Sequence, residues 1–191
     1  MNSNLAYQEE FREELIGGEP VAMAPRPAFN HNRVASRIYW VFETYLKGKP
    51  CTAIADGTDL YLTEEDRFVP DVMVVCDRDK IRRDGVHGAP DLVVEVLSPS
   101  TMRNDRMHKK EVYQACGVRE YWLVDPENRT IEQYLLREEK LELNTVYVSI
   151  PDYELERMSE KEKAEVETHF RCSLYSDFDI ALEDIFSGLL P

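Results

Sequence analysis

The run Leu92-Val93-Val94-Glu95-Val96-Leu97 constrains this chain more than any other stretch. Its apolar residues are nearly continuous rather than alternating, the pattern of a strand covered on both faces. A carboxylate inside such a strand is costly unless a partner or a cation meets it. The run stops at Ser98-Pro99-Ser100-Thr101, a turn with helix-starting chemistry. The chain therefore sets an acid near the end of a core strand, with a turn and a helix following at once.

A second apolar strand of the same kind, Phe68 to Cys76, carries Asp71 after Pro70. Adjacent strands lie about 4.8 Å apart, so two carboxylates at matching heights can share one divalent cation. Mg²⁺ suits a site of one or two carboxylates completed by waters and a phosphate oxygen. The alternative is structural, with Asp71 capping a turn and Glu95 paired to a basic core neighbour. Two such acids on successive core strands favour Asp71 and Glu95 as ligands of Mg²⁺ or Mn²⁺. Asp91 shares the Glu95 face by period two, but it stands at the strand entry and reads as a turn residue.

Lys109 follows on the next helix, with Arg106, Lys110 and Tyr113 on neighbouring faces. A lysine near two carboxylates can hold or polarise a water and counter phosphate charge. An Asp105–Lys109 pair at i,i+4, stabilising by only a few tenths of a kcal/mol, is the plainer role. His31 opens the first long helix and is a candidate assistant, a cap or surface role being the alternative. Glu14 and Glu19 flank the first hairpin, and either can complete the acid cluster.

The remaining pattern surrounds these strands with helices and further strands. Residues 7–14 read as a short amphipathic helix or an extended lead-in. Residues 14–23 read as a hairpin turning on Gly17-Gly18, and Pro25 and Pro27 break the chain after it. Val34, Ile38, Val41, Phe42, Tyr45 and Leu46 give a helix over 28–47 one buried face, and Gly48 ends it. Short strands are expected over 51–55 and 59–63, and a polar loop or short helix over 77–88. A helix over 102–115 stops at Gly117, and strands follow over 119–124, 130–136 and 141–149. The segment at about 151–170 is charged and helix-prone and reads as a peripheral helical insertion in a single domain spanning 1–191. A strand and a short helix around Ile185-Phe186 close the chain. The order predicts an α/β or α+β fold, a mixed sheet flanked by helices.

The net charge of −14 argues against a purely electrostatic nucleic-acid binder. The charge is uneven, however: Arg78 to Lys110 holds 8 basic and 5 acidic residues, so a local basic surface stays open. No run of eighteen apolar residues exists, so no membrane span is expected. Met1 to Glu14 lacks the basic start and apolar middle of a secretory leader. Cys51, Cys76, Cys116 and Cys172 form no C-x-x-C pair, which argues against a zinc ribbon. Cys51 and Cys76 read as buried free thiols, and the expected location is the cytoplasm.

Several stretches together resemble the Uma2 family, endonuclease-like proteins of the PD-(D/E)XK nuclease (restriction endonuclease-like) fold. They are Glu14 to Glu19, His31, Val69-Pro70-Asp71-Val72, Ala89 to Thr101, Asn104-Asp105-Arg106 with Lys109 and Tyr113, and Gly117 to Pro126. The likeness covers about Glu13 to Leu136 and resumes near Phe178 to Phe186. It implies a mixed central sheet flanked by helices, with Asp71 and Glu95 as metal-binding acids. The nuclease signature has a lysine two residues after the second acid, where this chain has Leu97. Lys109 is the expected substitute. The resemblance implies Mg²⁺-dependent cleavage of DNA, with a homodimer as one route to cutting both strands. A nuclease-fold binding or assembly module that does not cut, and a hydrolase of another phosphate substrate, are the competing readings.

Overall fold

The computed structural model describes residues 13–23 and 28–190. The lead-in expected over 7–14 falls outside them apart from Glu13 and Glu14, as do Pro25 and Pro27. The chain opens with a hairpin of β1 (Glu13–Ile16) and β2 (Glu19–Ala22), then α1 (Phe29–Leu46). Six strands follow: β3 (Thr52–Ala55), β4 (Leu60–Tyr61), β5 (Arg67–Phe68), β6 (Val72–Val75), β7 (Ile81–Arg82) and β8 (Gly85–His87). After β9 (Leu92–Val96), a helical rod spans 102–116. It is built from α2 (Met102–Asn104), a π-helical turn (Asp105–Lys109) and α3 (Lys110–Cys116). The meander β10 (Glu120–Asp125), β11 (Thr130–Arg137) and β12 (Lys140–Val148) comes next. The chain finishes with α4 (Asp152–Leu155), α5 (Glu160–Ala164), β13 (His169–Arg171), β14 (Asp179–Ala181) and α6 (Leu182–Phe186).

The centre is a mixed sheet in the order β12-β11-β10-β9-β6-β3, in which β9 and β10 run parallel and the other neighbours antiparallel. Every residue of β6 and β9 is buried, as their continuous apolar runs require. Alternate side chains feed two cores. Leu92, Val94 and Val96 meet Val34, Ile38 and Phe42 of α1, together with Phe170, Phe178 and Phe186 from the C-terminal elements. Val93 and Leu97 meet Tyr113 of α3 and Leu60, Phe68 and Val86 of a second sheet, ordered β2-β1-β5-β4-β8-β7. The result is the mixed α+β architecture that the element order predicts.

The opening hairpin turns on Gly17 and Gly18, both at positive φ (59° and 81°), as a two-residue loop between paired Ile16 and Glu19 requires. Other expectations are corrected. The span 77–88, expected as a polar loop or short helix, begins with a 3₁₀ turn but continues as the β7–β8 hairpin. The helix expected over 102–115 is interrupted by five π-helical residues. Helix gives way to strand at His169, and β13 pairs with β14 over the buried ring of Trp122. Cys51 and Cys76 are not free thiols but a disulfide, set opposite each other by the register that pairs Thr52 with Val75. Among the described residues, Cys116 and Cys172 alone carry free thiols, and the argument for a cytoplasmic location drawn from Cys51 and Cys76 falls with their disulfide.

Candidate active site

The two strand acids meet as the sequence places them. β6 and β9 are antiparallel with Val72 opposite Val94, and one further step sets Asp71 opposite Glu95. Asp71 Oδ2 accepts the Val96 amide at 2.7 Å, which fixes the carboxylate across the strand end. His31, in the first turn of α1, brings Nε2 to 3.5 Å from Asp71 Oδ1. The Asp71 and His31 side chains are about one-seventh exposed (15% and 14%). Asp71 and His31 therefore form the rim of a cluster whose other members are sealed.

Those other members gather around Lys109. Its ammonium lies 2.8 Å from Glu14 Oε1, 3.2 Å from Glu95 Oε1 and 3.3 Å from Asp105 Oδ1. The Tyr113 hydroxyl donates to the same Glu95 oxygen at 2.7 Å. Glu14 also accepts the Val69 amide at 2.9 Å, so β1 is pinned to the segment that leads into Asp71. The π-helical turn brings Asp105 and Lys109 into the interior together, and both are buried. Such turns are frequent at functional sites.

Charge is unbalanced here. Four carboxylates (Glu14, Asp71, Glu95 and Asp105) stand around one lysine. Burial raises the Asp71 carboxyl from 3.8 to about 6, although the His31 charge and the Val96 amide pull it down. Burial raises Glu95 well above the usual carboxylate range, with the Lys109 charge opposing. Asp105 is raised by burial as well, with the Lys109 charge opposing. Burial alone would lower the Lys109 ammonium, but the charges of Glu95, Glu14 and Asp105 outweigh it and raise it above the usual lysine range. Lys109 is thus a fixed cation.

The predicted site residues divide cleanly. Asp71, Glu95, Lys109 and His31 fall in one connected cluster. Glu19 does not join it: it is exposed at the start of β2, and Glu14 fills the place that the sequence left open between the two. Asp105 has both its plainer role, the i,i+4 pair with Lys109, and a place in the cluster. Its signal was an acid four residues before the lysine. Tyr113, again four residues on, carried a matching signal as a donor. Arg106 and Lys110 point elsewhere, to Glu132 and to the Tyr134 ring. Asp91 takes the structural role expected of a strand-entry residue, accepting the Cys76 amide and pairing with Arg119.

The residues present fit a hard divalent cation. Their donors are carboxylate oxygens, and four acids stand near a single lysine. Among the described residues no three His, Cys, Asp or Glu side chains converge as a ready-made metal cage.

Comparisons with known proteins give the family and the fold. The model of the Uma2 family, described as "Putative restriction endonuclease", matches residues 3–162. An uncharacterized protein of Synechocystis sp. is 31% identical over 134 residues, which cover 68% of this chain and 70% of that protein. The crystal structure of a "putative nuclease belonging to DUF820" from Anabaena variabilis superposes with a TM-score of 0.68 at 20% identity. That superposition covers 92% of this chain and 89% of the other, and it establishes a shared fold.

Proposed function

The chain belongs to the Uma2 family, and on that premise we propose that it is a metal-dependent endonuclease that hydrolyses DNA phosphodiester bonds with Mg²⁺ or Mn²⁺. The observation that carries the reading is the facing pair Asp71 and Glu95 on adjacent core strands, with the Lys109 ammonium on Glu95. Asp71 and Glu95 would hold the ion. A bound Mg²⁺ supplies Lewis-acid polarisation of a phosphate and a more acidic water. Lys109, charged throughout the working pH range, orients a water beside Glu95 and counters phosphate charge. His31, beside Asp71 on the partly open rim, is placed to exchange a proton with a group entering from solvent. Glu19 is given no step, since Glu14 holds the lysine.

Cutting both strands of a duplex calls for two such sites, so the proposal includes a homodimer. Among the described residues no helix is long and apolar enough to cross a membrane. The −14 charge supports a second reading, a nuclease-fold module that binds without cutting. Nicking of supercoiled plasmid with Mn²⁺ or Mg²⁺, run beside Glu95→Ala, separates the two. Nicking that disappears in Glu95→Ala supports the nuclease. No nicking by the wild type at high protein and low salt favours the module, and equal nicking by both removes Glu95 from the reaction.

A further inference from the structure

Lys109 is held by Glu14, which lies on a two-strand hairpin at the edge of the second sheet. Strand β1 joins β5 through the single Leu15–Arg67 pair, so side-chain contacts add to what holds the hairpin against the lysine. Asp66, in the turn before β5, is 7% exposed and does this from both sides. Its Oδ1 accepts the Gly17 amide at 3.0 Å and meets His108 Nε2 at 2.8 Å. Its Oδ2 accepts the Thr63 hydroxyl at 2.9 Å. The neighbouring Glu65 carbonyl accepts the Gly18 amide at 2.8 Å, so both glycines of the turn are tied to the same loop. A side chain at Gly17 would lie 3.5 Å from the His108 ring, so the turn and the imidazole pack directly against each other.

Gly17 is three residues from Glu14, and His108 is next to Lys109. One carboxylate therefore links the backbone that carries the acid to the helix that carries the lysine. Resting on the nuclease reading, we propose that Asp66 and His108 are positioning residues: they clamp the Gly17-Gly18 turn to the π-helical turn and so set Lys109 against Glu14 and Glu95. Neither touches the facing pair Asp71 and Glu95. Asp66 is held ionised by the Gly17 amide, His108 and Thr63, which outweigh its burial, so the clamp carries its charge at neutral pH.

The test has one arm that does not depend on cleavage. Full-length protein and the variants Asp66→Ala, Asp66→Asn, His108→Ala and His108→Gln are treated with an amine-acylating reagent, and labelling of Lys109 is read by mass spectrometry against Lys110. In the wild type Lys109 is protected. In Asp66→Ala and His108→Ala its labelling is expected to rise about tenfold as the cluster opens locally. His108→Gln, whose amide replaces the Nε2 donor, is expected to stay within about twofold of wild type, and Asp66→Asn to fall between. In the second arm, plasmid nicking by the two alanine variants is expected to lose about tenfold or more in kcat, with KM within about threefold.

Wild-type labelling rates in folded Asp66→Ala and His108→Ala overturn the clamp. So does a His108→Gln that behaves like His108→Ala in both arms, because the ring would then act only by packing. Should Asp66→Ala fail to fold, Asp66→Asn and the His108 pair decide the question. Absence of nicking by the wild type overturns the nuclease reading alone, and the labelling arm still decides the clamp.

Discussion

Replacing Asp71 by Asn should stabilise the metal-free protein in alkaline buffer while abolishing its response to metal. The Asp71 carboxyl is raised by burial from 3.8 to about 6. An acid raised in the folded state favours folding when protonated, and that advantage is lost as pH climbs between the two values. A shift of about two units corresponds to about 3 kcal/mol of ionisation penalty, complete above about pH 7 and negligible below about pH 3. Asn carries no such penalty and keeps an oxygen for the Val96 amide, and the opposing pull of His31 is already contained in the net shift. A gain of up to about 3 kcal/mol at about pH 8 is expected, or roughly 6–12 °C in Tm for a domain of this size. The gain should shrink steadily toward about pH 4. Thermal unfolding of both proteins across this range measures it, with and without Mg²⁺. Added Mg²⁺ should raise the wild-type Tm, by mass action on the folded state, and leave Asp71→Asn unmoved. A stability difference that does not change with pH would refute the buried-charge argument, and equal Mg²⁺ responses would refute Asp71 as a ligand.

Three further outcomes follow from other parts of the fold. Glu120→Ala should destabilise by about 3–5 kcal/mol in urea unfolding, because it strands the Trp122, Gln133 and Ser173 donors that converge on a fully buried carboxylate. Gly85→Ala should lower Tm sharply, because a Cβ there would sit 2.3 Å from the Asp59 carbonyl oxygen and force β8 away from β4. Reducing the Cys51–Cys76 disulfide, which closes a loop of sequence separation 25, should cost about 3 kcal/mol, read as a lower urea midpoint in dithiothreitol.

The central sheet and the acid pair were legible because they are written in continuous apolar runs. Val72 to Val75 and Leu92 to Val96 can only be buried strands, and an acid at the end of each is a local anomaly that any reader of the chain meets. The contacts closing the site were not legible, because they join distant positions. Glu14 reaches Lys109 across the hairpin and the whole of α1, and nothing near Glu14 distinguishes it from Glu19 except which face of the hairpin looks inward. The Cys51–Cys76 pairing was missed for a related reason: the thiols meet only once the β3–β6 register is known. Strand β13 was hidden because the charged run before His169 carries helix propensity without an apolar stripe, whereas its partner β14 lies where a closing strand was expected. Tertiary packing on Trp122 decides the structure of β13.

On the proposed reading, Lys109 stands in for the strand lysine from the facing helix. Position 97 shares the Glu95 face, and Leu97 points into the core beside Tyr113 and Phe68. A lysine there would put its charge in the space that the α3 helix fills. Moving the cation onto that helix frees the strand position for packing and brings the ammonium back from the opposite wall, 3.2 Å from Glu95. A regular helix spaces its inward residues at three and four. The π-helical turn realigns this pattern so that Asp105, Lys109 and Tyr113 all face inward, four residues apart. The lysine is then surrounded by acids from β1, β9 and its own turn. Its charge and position are therefore set by tertiary structure, and the elements that hold those acids become as important to Lys109 as the residue itself.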